Sequence, residues 1–369
     1  MAMFLRTFKP QLFSRPTDIN RALTLFASQF RKSPGVVYER ELLLLPDGGV
    51  VAIDGRVAPK GEAPLPSSAP VVIFLPGLTS GSRETYVQHA VHSAAASGLR
   101  PIVFNMRGTG DVPLHTAQFF SAAYTGDFRE VIAWVGQRYP DSPILAAGWS
   151  NGGSILTNYL GEEGAETPLT AAPICNAHLS KGFDKLYTLN LGRNLRLILE
   201  KHRALFEEEA ARPDGRPYKV QDGLKGTTID HFDNAITCHA FGYASAGEYY
   251  AAASCDQRVP GIAVPTLFIQ AADDPIAVAS CIPRALLEKN PHAVLALTPT
   301  GGHLGWCCTE LGVRGAPWSN VPMIEWLKAA LEVEPLSQEQ RQQRIDAHPS
   351  RAFSLDSETA IDEVAGSAR

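Results

Sequence analysis

A serine hydroxyl becomes a useful nucleophile near neutral pH when a histidine takes its proton and a carboxylate orients that histidine. The chain carries all three residue types in places where they could meet. Gly148-Trp149-Ser150-Asn151-Gly152 fits G-x-S-x-G, with an apolar run, Ile144 to Ala147, before it and Ile155, Leu156, Tyr159 and Leu160 at helical spacing after it. Strand, turn and helix in that order make a nucleophile elbow, in which small residues at 148 and 152 permit a turn sharp enough to lift Ser150 above the strand end. Downstream, the run Thr266 to Gln270 leads into Asp273-Asp274-Pro275, and Val294 to Leu297 leads into Gly301-Gly302-His303-Leu304-Gly305-Trp306. Serine, acid and histidine therefore follow one another in the order that an elbow serine requires. Asp274 is the preferred acid, because the residue before Pro275 is held extended, and Asp273 is the alternative. For the oxyanion of a tetrahedral intermediate, the backbone N–H of Leu78, in Pro76-Gly77-Leu78-Thr79, and that of Asn151, at a helix start, are the expected donors.

These residues need strands to carry them. Val71 to Leu75, Ile102 to Asn105, Ile144 to Ala147, Ala172 to Cys175 and Thr266 to Gln270 are short apolar runs bounded by Pro, Gly or Asn, alternating with amphipathic stretches. The stretch with Phe128, Val131, Ile132 and Val135 has the spacing of a helix docked on a sheet. That alternation predicts a mostly parallel sheet with helices on both faces. An earlier strand pair, Val37 to Leu45 and Val50 to Ile53, turns at Asp47-Gly48-Gly49. From about 178 to 260 helical patterns run without a clear strand, which predicts a helical cap over the strand ends. The expected division is 1–60 for a basic segment and first strands, 61–177 with 261–333 for the core, 178–260 for the cap, and 334–369 for a mobile polar tail.

Other chemistries fit less well. Arg107-Gly108-Thr109-Gly110-Asp111 lacks the third glycine of a dinucleotide loop, since Pro113 stands there, and no nucleoside triphosphate loop exists. His89 and His92 lie one helical turn apart with no carboxylate or cysteine at matching spacing, so no metal and no cofactor is expected. The 369 residues carry a net charge of −5 with 45% apolar residues, which argues against nucleic-acid binding and against disorder. No apolar run spans a bilayer. Six cysteines without C-x-x-C spacing suit free thiols in a reducing, cytoplasmic compartment. Arg6, Lys9, Arg15, Arg21, Arg31 and Lys32 make the first 32 residues basic, which reads as a transit peptide or as an amphipathic segment that packs on the body or touches lipid.

Several stretches together resemble the AB hydrolase 4 family of the α/β-hydrolase superfamily. They are Leu75 to Ser82, Phe104-Asn105-Met106-Arg107-Gly108, Gly148 to Gly153, Asp273-Asp274-Pro275 and Gly301 to Trp306, joined in the cap by Phe232-Asp233-Asn234, Phe241-Gly242-Tyr243, Tyr249-Tyr250 and Ala253-Ser254. Phe8-Lys9-Pro10 and Asp47-Gly48-Gly49 to Asp54 extend the likeness over about residues 8 to 330, which weakens the transit-peptide reading, since the basic segment then belongs to the family body, and leaves organelle targeting as the alternative to a cytoplasmic or membrane-associated place. The resemblance implies an eight-stranded, mostly parallel α/β-hydrolase sheet with a helical cap, a serine nucleophile, and ester or acylglycerol substrates. Peripheral membrane contact through the basic segment or the cap is a separate expectation, from the basic amphipathic pattern. Asn151 departs from the family's leucine, and Ser80 from its glycine. A serine ester hydrolase is the first expectation. Acyl transfer to an alcohol by the same residues, and a catalytically silent binding protein, are the alternatives.

Overall fold

The computed structural model describes residues 32–177, 185–306, 315–333 and 336–355. The basic amino-terminal segment before Lys32, Cys307, Cys308 and the last fourteen residues of the expected tail lie outside the described residues. In chain order the elements are β1 (Tyr38–Leu44), β2 (Val50–Arg56), β3 (Val71–Leu75), α1 (Thr85–Ala96), β4 (Arg100–Asn105), α2 (Gly126–Arg138), β5 (Ile144–Trp149), α3 (Asn151–Glu163) and β6 (Ala172–Cys175). A helical segment follows, with α4 (Lys185–Lys201), α5 (Arg203–Ala211), α6 (Val220–Lys225), α7 (229–241) and α8 (Ala246–Ala253). The chain then returns to the sheet through β7 (Thr266–Ala271), α9 (Arg284–Lys289), β8 (Ala293–Thr298), α10 (Asn320–Val333), α11 (Gln338–Ala347) and β9 (Phe353–Leu355).

Consecutive apolar residues in β3, β4 and β5 require a sheet covered on both faces. Along β3, Val71, Ile73 and Leu75 pack with α2 and α3, whereas Val72 and Phe74 pack with α1 and α10. The strand order is β8-β7-β6-β5-β3-β4-β2-β1-β9, parallel from β8 to β4, with β2, β1 and β9 added antiparallel. Phe128, Val131, Ile132 and Val135 of α2 are all buried, and each such side chain contributes about 1.5–3 kcal/mol.

The carboxyl-terminal segment corrects one expectation. Residues 338–347 form α11, and β9 pairs with β1 as a ninth strand, so neither is a loose polar tail. Few apolar residues suffice here because polar groups do the fastening. Ser337 and Gln340 cap α11 reciprocally, Ile345 is buried, and the Glu130 carboxylate accepts hydrogen bonds from Ser350 Oγ and from the N–H groups of Arg351 and Ala352.

Arg107, in the loop that failed as a nucleotide site, has a packing role. Its buried guanidinium meets Asp127 at 2.7 Å and Asp47 at 2.8 Å, tying the β1–β2 turn to the start of α2. His89 and His92 do not converge on a ligand set: His89 Nε2 faces the carbonyl of Lys32 at 3.0 Å, and His92 is exposed.

Candidate active site

Ser150 sits between β5 and α3 with φ 51° and ψ −119°, a left-handed conformation that costs a non-glycine residue of order 1–3 kcal/mol. Close packing explains its glycine neighbours. A Cβ on Gly148 would stand 2.8 Å from Gly152 O and from Gly153 Cα, and one on Gly152 would stand 2.3 Å from the carbonyl oxygens of Leu75 and Pro76. The start of α3 therefore lies directly on the turn after β3. That turn is fixed in its own right: Gly77 N–H donates to Tyr86 OH at 2.9 Å, and Ser82 N–H donates to Asn105 Oδ1 at 2.8 Å. Leu78 and Asn151 both face the cavity above Ser150. The Asn151 N–H, first of α3, has no partner within the helix.

The β7 and β8 ends bring the other groups to Ser150. Ser150 Oγ is 2.7 Å from His303 Nε2, and His303 Nδ1 is 2.8 Å from Asp274 Oδ2. Because the carboxylate only accepts, Nδ1 carries the proton and Nε2 is left to accept from the serine hydroxyl. Asp274 is buried, and its Oδ1 accepts from the N–H groups of Ile276 at 2.7 Å and Ala277 at 3.0 Å. Asp273, the alternative acid, points elsewhere. Its Oδ1 accepts from Gly302 N–H at 2.8 Å, so it grips the loop that carries His303 rather than the imidazole. Burial holds the Asp273 carboxyl above the usual range despite those backbone donors.

One member of this assembly was not foreseen. Asn176, at the end of β6 with φ 45°, is fully buried, and its amide donates to Gly302 O at 2.8 Å and to His303 O, while its Oδ1 accepts from Ala271 N–H at 3.2 Å. It joins the loop bearing His303 to the strand that leads to Asp274. The only signal in the sequence was an asparagine closing an apolar strand, a position where αL is tolerated.

A cavity of about 250 Å³ opens over Ser150, floored by Ser150, Asn151 and Ser154 and otherwise lined mainly by apolar side chains, among them Phe119, Phe120, Leu195 and Phe232. Leu191, Leu195 and residues of α7 and α8 in its lining come from the helical segment between β6 and β7.

Comparison with known proteins decides the family. Residues 70–305 match the family model described as alpha/beta hydrolase fold. The chain is 37% identical over 347 residues to the embryogenesis-associated protein EMB8 of Picea glauca, which covers 90% of this chain and 75% of that protein. The chain belongs to the α/β-hydrolase fold family, in its AB hydrolase 4 branch. Phospholipase ABHD3 of Mus musculus is 33% identical over 301 residues, covering 78% of this hydrolase and 71% of that protein. The fold of a Burkholderia cenocepacia protein assigned as an aryl esterase superposes with a TM-score of 0.50 at 19% identity, covering 80% of the hydrolase and all of that chain.

The Asn151 side chain lines the cavity, and its amide lies 3.9 Å from the Met106 sulfur. Among the described residues no three His, Cys, Asp or Glu side chains gather as a metal site. Among the described residues Cys175, Cys238, Cys255 and Cys281 form no disulfide.

Proposed function

We propose that this hydrolase is a serine carboxylic-ester hydrolase working through an acyl-enzyme, with lipid-like esters as substrates. The unbroken series of hydrogen bonds from Asp274 through His303 to Ser150 is the observation that supports this most. In that reading His303 Nε2 takes the hydroxyl proton as Ser150 Oγ attacks the acyl carbon. The N–H groups of Leu78 and Asn151 hold the oxyanion, each donor being worth about 10²–10³ in rate. Nε2 then returns its proton to the departing alcohol. Water, deprotonated by the same nitrogen, releases the carboxylic acid and restores Ser150.

Lipid-like substrates are favoured by the apolar cavity lining, by the lipid-active names among its relatives, and by the outer face of α4. Leu189 and Leu197 stand exposed there beside Arg193, a face suited to resting on a lipid surface. No helix among the described residues is long and apolar enough to cross a membrane.

The test is covalent labelling with a fluorophosphonate, joined to hydrolysis of p-nitrophenyl esters and of glycerides of graded chain length. Labelling and turnover should both vanish in Ser150→Ala with the fold retained. A parent protein that neither labels nor turns over any ester would overturn the reading.

A further inference from the structure

The cavity lining contains a polar patch that the proposed chemistry does not use. Residues 229–241 form one helical stretch whose middle turn, Asp233–Thr237, is widened, with Cys238 N–H reaching back five residues to Asp233 O. Such widenings recur at functional sites. This one directs Asp233 and Thr237 to the cavity, where Tyr250 of α8 meets them. Asp233 is the one carboxyl among the described residues that line the cavity, and it is 5% exposed.

Asp233 Oδ1 accepts from Thr237 Oγ1 at 2.6 Å and Oδ2 from Tyr250 OH at 2.8 Å. A neutral amide could satisfy the same hydroxyls without the cost of burying a charge. The charged neighbour that acts on Asp233 is Asp230, of like sign. Burial is the main cause that pushes the Asp233 carboxyl up to about 7. An ionised carboxyl offers about four acceptor sites, and two hydroxyls occupy about half of them. The remaining capacity lies in the wall of the cavity that holds Ser150.

We propose that Asp233 is a specificity residue whose carboxyl receives a hydroxyl on the alcohol portion of the ester, so that the hydrolase favours esters of polyols over esters of simple alkanols. The inference rests on the esterase reading above. An aliphatic acyl chain has no hydrogen-bond donor to offer, so the donor must belong to the alcohol. Recognition of a substrate hydroxyl by a buried polar group penalises the analogue that lacks it, because the group is then left short of a partner.

Two esters of one acid test this: glycerol monobutyrate and propyl butyrate, matched in the acyl group and differing in the hydroxyls. The readout is the ratio of their kcat/KM values, in which the fraction of active enzyme cancels because both rates come from one preparation. The parent should favour the glycerol ester by about tenfold or more, consistent with one hydrogen bond to a carboxylate. Asp233→Ala should bring the ratio close to one. Asp233→Asn, which keeps an acceptor oxygen and nearly the same shape, should fall between them and serves if the alanine variant does not fold. A purely structural role would lower both rates together and keep the ratio. A labelled, active parent with a ratio near one, or a ratio unchanged in both variants, overturns this inference alone. Absence of fluorophosphonate labelling and of turnover in the parent overturns the esterase reading and this inference with it.

Discussion

Replacing Asp274 by asparagine should cost far more than replacing Asp273, and the hydrogen bonds state why. Asp274 Oδ1 is occupied by two backbone donors, Ile276 N–H and Ala277 N–H, so an asparagine at 274 keeps its carbonyl oxygen there and turns its NH₂ toward His303. An NH₂ facing Nδ1 at 2.8 Å needs an acceptor, which moves the imidazole proton to Nε2. Nε2 then carries a hydrogen where it must accept one from Ser150, and the imidazolium loses its counter-charge. The same tautomer error in a serine protease triad lowers kcat about 10⁴-fold, which corresponds to about 5.5 kcal/mol in the barrier. Asp273→Asn is a milder change, because an amide oxygen can still accept from Gly302 N–H, and about tenfold or less should be lost. Steady-state hydrolysis of p-nitrophenyl butyrate across pH 6 to 9, with thermal unfolding as a check on the fold, measures both. Equal loss of activity in the two variants, or an Asp274→Asn enzyme within about tenfold of the parent, would refute the role given to Asp274.

Three further outcomes follow from the same geometry. Asn176→Ala frees the backbone of the His303 loop, and since misplacement by about 1 Å can cost about 10²-fold, kcat should fall by about 10- to 100-fold with KM little changed; a change confined to KM would contradict a positioning role. Asp233 carries a folded-state pKa raised to about 7, so its contribution to stability is fully present below the ordinary carboxyl range and is lost as pH rises through about 7. At roughly 1.4 kcal/mol per pH unit that loss is on the order of 4 kcal/mol, and Asp233→Asn should therefore gain on the parent between pH 5 and pH 8; denaturant midpoints showing a constant difference would dismiss it. Arg107→Met leaves the buried Asp127 without its partner and should destabilise the fold by about 3–5 kcal/mol in urea unfolding, whereas a loss below about 1 kcal/mol would show that Asp127 simply takes up a proton.

Much of the architecture was legible because its causes are local. Runs of consecutive apolar residues can be satisfied only between two layers of helices, and Gly148 and Gly152 mark a turn whose tightness depends on a few neighbouring atoms. The carboxyl-terminal segment was misread because its attachment is not local. β9 is three residues long, and what keeps it is a strand more than three hundred residues earlier, together with one carboxylate on α2.

By itself the sequence determined the residue types, their order and the strand ends that carry them, since a strand, a sharp turn and a helix are specified by neighbours along the chain. The tertiary structure decided which group faces which. Asp273 and Asp274 are chemically alike and adjacent, and only the path of the chain past β7 turns one to the imidazole and the other to the loop backbone. Asn176 meets a loop 126 residues away, and Asp233 reaches the cavity through a widened helical turn. Hydrogen bonds act over about 3 Å, and which atoms come that close across such separations is settled by packing, not by spacing in the chain.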